Sequence, residues 1–107
     1  MTDNFEISPR DVKQRLDQGE KIFLVDVRQD WEHQHCRIEG STLVPLQTIE
    51  SSLALFEGAK EVVVYCHHGV RSLNAVVWLR QQGIPARSMS GGIARWSEEI
   101  DPTVPRY

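Results

Sequence analysis

The sequence has 107 residues, of which 40% are hydrophobic and 25% are charged, and its formal net charge is −3. These values are typical of one globular domain, so we expect residues 1–107 to form a single domain. The small negative charge and the lack of a basic run argue against a nucleic-acid partner. No apolar stretch approaches the roughly 20 residues that a membrane span needs. The polar N-terminus lacks the features of a secretory signal, which favours a cytoplasmic location.

The first half of the sequence contains one clear helix start and one clear buried strand. Ser8 and Pro9 predict the start of a helix, because serine caps a first turn and proline suits the first helical position. Gly19 is expected to end this helix. Residues 22–27 form an apolar run with β-branched side chains, interrupted by Asp26 alone, which indicates a strand covered on both faces. Weaker patterns predict a short helix at 28–35, a loop at 36–47 with a brief strand at 43–44, and a helix at 48–55.

The second half of the sequence also alternates strands with helices. Residues 61–65 repeat the pattern of a buried strand, and Ile93, Trp96 and Ile100 share one face of a final helix. The other predicted elements are a helix at 72–82, a strand at 87–89 and an extended tail with two prolines. This alternation predicts an α/β domain with an open, largely parallel sheet and helices on both faces.

Cys66 is the main candidate for chemistry, because it stands between the second buried strand and a helix. Ligands bind at the carboxyl ends of strands in open parallel sheets. Gly69 permits a positive φ, so that backbone N–H groups of the loop can point towards one centre, and Arg71 adds a cation. These features favour a thiolate, the nucleophilic form of cysteine. The structural alternative is a cysteine that merely ends a core strand and is followed by an ordinary turn.

Three segments, in this order, resemble motifs of the rhodanese family. Residues 24–28 (LVDVR) resemble its strand-end motif, 63–72 (VVYCHHGVRS) its active-site loop, and 90–96 (SGGIARW) its glycine-rich turn and closing helix. The similarity covers essentially the whole chain and implies a rhodanese-like open sheet. The tail 96–107 also resembles the end of the rhodanese domains fused to adenylyltransferases of molybdopterin and thiamine biosynthesis.

The resemblance implies a sulfurtransferase that carries sulfur as a persulfide of Cys66. The substrate-binding residues would be His67, His68, Gly69, Val70 and Arg71, and the supporting residues Asp26, Arg28 and Ser72. The implied donor is a small anion such as thiosulfate, or a protein that carries a persulfide. The implied acceptor is cyanide, a thiol or a protein such as a ubiquitin-like sulfur carrier, and no metal or organic cofactor is implied.

The segment 36–41 (CRIEGS) departs from the family pattern, because Cys36 and Arg37 replace a glycine and a histidine. Cys36 is interpreted either as a small buried filler or as a thiol that resolves the Cys66 persulfide. The pattern does not require His67 and His68, which either tune the donor preference or are exposed loop residues. The four histidines lack the spacing of a structural zinc site.

Two other functions are compatible with the sequence. The first is a phosphatase, since cell-cycle phosphatases share this architecture. Those enzymes need five residues between cysteine and arginine, whereas four residues separate Cys66 from Arg71, and Tyr65 stands where many phosphatases have histidine. The second is a non-enzymatic module that senses sulfide or carries sulfur only with a protein partner.

Overall fold

A five-stranded parallel sheet forms the centre of the structure, a computed structural model that describes residues 4–107. Residues 1–3 of the expected domain lie outside the described residues. The strand order is β1-β5-β4-β2-β3, and every pairing is parallel. The strands are β1 (Glu6–Ile7), β2 (Phe23–Asp26), β3 (Thr42–Leu43), β4 (Val62–Tyr65) and β5 (Ala86–Met89). Because β4 is the central strand, its carboxyl end lies in the middle of the row of strand ends on that side of the sheet.

Helices cover both faces of this sheet. They are α1 (Pro9–Asp17), α2 (Asp30–His35), α3 (Val70–Gln81) and α4 (Gly92–Glu99), with two short 3₁₀ helices at Leu46–Thr48 and Glu50–Phe56. Val62 and Val64 of β4 pack in the core layer under α3, whereas Val63 and Tyr65 pack in the layer under α1 and α4. Because all four side chains are buried, β4 has a continuous apolar sequence rather than an alternating one.

The predicted α/β architecture, with its parallel sheet and helices on both faces, is confirmed. The predicted start of α1 is also confirmed, since Ser8 Oγ accepts a hydrogen bond from the Asp11 N–H at 3.1 Å and Pro9 is the first helical residue. Within the described residues, no helix is both long and apolar enough to cross a membrane.

The structure corrects several element predictions. Strand β1 was not predicted, because a two-residue edge strand has no periodicity and forms through its pairing with β5. The helix predicted at 48–55 consists of 3₁₀ turns. The brief strand lies at 42–43 rather than 43–44. The tail is not fully extended, because the Val104 N–H donates to the Asp101 carbonyl at 3.1 Å and closes a turn. Helix α3 begins at Val70, two residues earlier than predicted.

Candidate functional site

The sulfur of Cys66 lies directly after β4 and accepts two backbone hydrogen bonds. The Gly69 N–H donates to Cys66 Sγ at 3.1 Å and the Ser72 N–H at 3.3 Å. Ser72 Oγ lies 3.4 Å from the same sulfur and 2.7 Å from Ser88 Oγ, which fixes that hydroxyl from β5. Cys66 is 1% exposed. The first N–H groups of α3 therefore face the sulfur, and these groups stabilise negative charge.

The first turn of helix α4 donates hydrogen bonds to the backbone of the Cys66 loop. The Ile93 N–H donates to the Cys66 carbonyl at 2.8 Å, and the Ala94 N–H to the His67 carbonyl at 3.1 Å. A Cβ at Gly92 would collide with both of these carbonyl groups, so only glycine permits this approach. Gly69, with φ of 106°, supplies the left-handed turn that precedes α3. Gly91 and Gly92 of the 90–96 motif therefore lie directly against the cysteine loop that contains Gly69.

Arg71 forms a two-pronged ion pair with Glu32 of α2. Its two terminal nitrogens lie 2.8 and 3.0 Å from the two carboxylate oxygens of Glu32. These hydrogen bonds lower the pKa of Glu32 to about 2, against the opposing effect of burial. The pKa of Arg71 is raised, chiefly by Glu32, and the electrostatic influence of Cys66 adds to the rise. The predicted cation of the site is therefore present, but a carboxylate compensates its charge.

Asp26 and Arg28 form a second two-pronged pair, which is fully buried. Arg28 Nε donates to Asp26 Oδ1 at 2.9 Å and Arg28 Nη2 to Asp26 Oδ2 at 2.7 Å. Arg28 also donates to the carbonyl of Cys36 and to Tyr107 Oη, and His33 Nδ1 lies 2.8 Å from Asp26 Oδ2. Burial lowers the pKa of Arg28, but the hydrogen bonds with Asp26 and Tyr107 outweigh it and give a net rise. This pair joins β2, the end of α2 and the tail.

The two histidines of the loop stack beside the site. The ring of His67 lies between those of His68, at a centroid distance of 3.9 Å, and Tyr107, at 4.1 Å. Burial and the neighbouring His68 lower the pKa of His67, which keeps its ring neutral at pH 7. A cavity of about 170 Å³ adjoins these three rings. Val70, which was also predicted to bind the substrate, is 71% exposed at the rim of the loop.

Cys36 lies in a different core layer from Cys66. Both thiols are free and buried. Cys36 packs with Tyr65 in the layer under α1 and α4, whereas Cys66 packs in the layer under α3. The two cysteines therefore pack against different sets of core residues. This placement favours the filler interpretation of Cys36.

Two residues beside the site were missed by the sequence analysis. Glu32 binds Arg71 across 39 positions of sequence, and Tyr107 binds Glu32 across 75. The only sequence signal for Glu32 is its place in a capping box with Gln29, and the only one for Tyr107 is the resemblance of the tail. Within residues 4–107, no cluster of three or more histidine, cysteine or acidic side chains could hold a metal ion.

The family model of the rhodanese-like domain matches residues 8–99, and the chain belongs to that family. The chain is similar to a protein of Allochromatium vinosum named as a sulfurtransferase, with 32% identity over 100 residues that cover 92% of this chain and 94% of the relative. It is also similar to the adenylyltransferase and sulfurtransferase MOCS3 of Oryza sativa, with 34% identity over 121 residues. That match covers 100% of this chain and 27% of the relative, so the chain spans about a quarter of such fused proteins.

The fold agrees with this assignment. The crystal structure of a rhodanese-like domain protein from Staphylococcus aureus superposes with a TM-score of 0.83 at 29% sequence identity. The match covers 95% of this chain and 97% of that chain. The sheet described above is therefore the rhodanese-like open sheet that the motifs implied.

Proposed function

We propose that this chain is a sulfurtransferase in which Cys66 takes up a sulfane sulfur as a persulfide and passes it to an acceptor. One observation carries the proposal: Sγ of Cys66 accepts hydrogen bonds from the Gly69 and Ser72 N–H groups at the start of α3. Membership of the rhodanese-like family and the names of the similar proteins support sulfur transfer as the class of reaction.

In the first step, the Cys66 thiolate attacks the sulfane sulfur of the donor. With thiosulfate, a bond forms between Sγ and the outer sulfur, the sulfur–sulfur bond of thiosulfate breaks, and sulfite leaves with the bonding electron pair. The product on the protein is the Cys66 persulfide anion. Backbone N–H groups aimed at the sulfur stabilise charge as it moves during this transfer, without any rearrangement of solvent.

In the second step, the acceptor attacks the outer sulfur of the persulfide. A thiolate acceptor forms a new persulfide, the bond between the two sulfurs of the Cys66 persulfide breaks, and Cys66 recovers its thiolate. Cyanide reacts in the same way and leaves as thiocyanate. Both steps balance in charge and electrons with no cofactor.

The other predicted residues are assigned supporting tasks in this proposal. The backbone of residues 67–71 forms the cradle, Arg71 supplies a charge that Glu32 moderates, and Ser72 orients the sulfur. Asp26 and Arg28 hold the surrounding frame. We propose thiosulfate or a protein persulfide as the donor and cyanide, a thiol or a ubiquitin-like sulfur carrier as the acceptor. We also propose that residues 1–107 form one domain and that the protein is cytoplasmic.

The test is intact-protein mass spectrometry after incubation with excess thiosulfate. We expect wild type to gain one sulfur atom and to lose it on addition of cyanide. Cys66→Ser should gain nothing, and Cys36→Ser, the matched control that removes the other thiol, should behave as wild type. If wild type gains no sulfur from thiosulfate or from a persulfidated protein donor, the chain is a binding module and the proposal is wrong.

A further inference from the structure

Tyr107 joins three separate parts of the site, although it lies in the tail. Its hydroxyl is 2.8 Å from Arg28 Nη1 and 2.7 Å from Glu32 Oε2, and its ring lies parallel to that of His67 at 4.1 Å. The tail thus touches the end of β2, helix α2 and the cysteine loop through one side chain. The sulfur-transfer steps proposed above give this side chain no task.

The hydroxyl of Tyr107 is both a hydrogen-bond donor and a hydrogen-bond acceptor. It donates to the Glu32 carboxylate and accepts from the Arg28 guanidinium. Burial, followed by the hydrogen bond to Glu32, raises the pKa of Tyr107. The hydroxyl therefore keeps its proton at neutral pH and remains a donor to Glu32.

This donation restrains Arg71 indirectly. The Glu32 carboxylate is fixed by three groups: the Arg71 guanidinium, the Gln29 N–H at 3.0 Å and the Tyr107 hydroxyl. Arg71 precedes Ser72, whose N–H points at the Cys66 sulfur. A shift of the Glu32–Arg71 pair therefore changes both the charge and the backbone geometry beside that sulfur.

The ring of Tyr107 restrains the other side of the loop. Its plane is within 5° of the His67 plane, and His68 stacks on the opposite face of His67. His67 directly follows Cys66, and its carbonyl is held by the Ala94 N–H. The tail and α4 together therefore fix His67, the residue directly after Cys66.

We propose that Tyr107 is a positioning residue of the sulfur-transfer site: its hydroxyl fixes the Glu32 carboxylate that holds Arg71, and its ring holds His67. This inference rests on the proposed function and deepens it. The tail thereby sets the geometry that a sulfur donor meets at Cys66, without touching the reacting atoms.

The test uses two variants of Tyr107 and one control in the same tail. Tyr107→Phe keeps the ring and removes the hydroxyl, whereas Tyr107→Ala removes both. Thr103→Ala is the control, because Thr103 is exposed and its backbone N–H and hydroxyl both donate to Asp101 Oδ1 within the tail. For each protein, single-turnover sulfur uptake from thiosulfate separates the maximal rate from the half-saturating concentration.

We expect Tyr107→Phe to lower the maximal uptake rate about tenfold, as for a misplaced reacting group, and to raise the half-saturating concentration only about twofold, because Arg71 is displaced but keeps its charge. Tyr107→Ala should lower the maximal uptake rate further. Its His67 ring resonances should titrate at higher pH, because one face of the His67 ring becomes exposed. Thr103→Ala should match wild type. A wild-type uptake rate in Tyr107→Phe overturns the proposal, and so does a loss confined to thermal stability with the rate of the folded protein unchanged.

A second readout separates this inference from the proposed function. Alkylation of Cys66 by iodoacetamide, in the Cys36→Ser background, needs no sulfur donor. We expect Tyr107→Phe to slow it about threefold at pH 7, since a mobile Arg71 stabilises the thiolate less. If wild type takes up no sulfur, the proposed function fails, whereas an unchanged alkylation rate in Tyr107→Phe counts against the positioning role itself.

Discussion

Two arginine–carboxylate pairs lie at the same end of the sheet, and their surroundings differ. Both side chains of the Asp26–Arg28 pair are 0% exposed, whereas Glu32 is 5% and Arg71 34% exposed. The first pair joins residues two positions apart, and the second joins residues 39 positions apart. Each has two-pronged geometry, which is the strong form of such an ion pair.

The difference indicates separate tasks for the two pairs. A fully buried pair is costly to break, because the remaining charge has no solvent to compensate it. Asp26–Arg28 therefore holds the frame. Glu32–Arg71 lies beside the Cys66 loop, and its Arg71 guanidinium interacts electrostatically with Cys66, so we assign this pair to the site. The following three predictions test this division.

The largest expected effect is on the buried pair. Asp26→Asn leaves Arg28 charged and without its counter-ion, and we expect a loss of about 3–5 kcal/mol in the free energy of unfolding. Urea denaturation measures this loss. Glu32→Gln is the matched control at the second pair and should cost clearly less. A greater loss for Glu32→Gln than for Asp26→Asn would reverse the assignment of the two pairs.

The second prediction concerns acid stability. The pKa of Glu32 in the folded state, about 2, lies below the ordinary value of 4.5. The carboxylate therefore stabilises the fold above pH 4.5, and this stabilisation disappears as the pH falls towards 2. We expect a contribution of about 2 kcal/mol after allowing for solvent screening at Arg71. Urea denaturation across this pH range should show a shallower acid limb in Glu32→Gln, and identical limbs would contradict the account.

The smallest expected effect is on donor affinity. Arg71→Ala removes a cation and leaves the Glu32 carboxylate uncompensated near the loop. We expect the half-saturating thiosulfate concentration to rise about fivefold, which is about 1 kcal/mol. Arg71→Lys keeps the charge but loses the two-pronged hydrogen bonding, so its half-saturating concentration should lie between those of wild type and Arg71→Ala. An unchanged affinity in Arg71→Ala would remove Arg71 from the donor site.

The sequence predicted the parts of the fold that depend on strong local patterns. β2 and β4 lie in mainly apolar segments that contain β-branched residues, and α1 has a serine cap with a proline at its first position. β1 could not be predicted, since two residues acquire strand geometry only by pairing with β5. The 3₁₀ turns at 46–56 share the spacing of a helix over so short a range that periodicity does not separate the two forms.

In the candidate site, too, the local features could be predicted from the sequence and the long-range contacts could not. The Cys66 cradle is local, so the spacing of residues 66–72 was enough to predict that N–H groups would meet the sulfur. The partners Glu32 and Tyr107 come from distant positions, and only the folded chain brings them to Arg71 and His67. Arg71 was accordingly predicted as a cation of the site but not as the partner of Glu32, with which the structure pairs it.

The central claim is that Cys66 itself carries the transferred sulfur. Its most direct test is a single turnover with thiosulfate radiolabelled in the outer sulfur, followed by peptide mapping under non-reducing conditions. We predict about one label per chain, confined to the peptide that contains Cys66 and released as thiocyanate by cyanide. Label on the Cys36 peptide, or label retained in Cys66→Ser, would contradict the account.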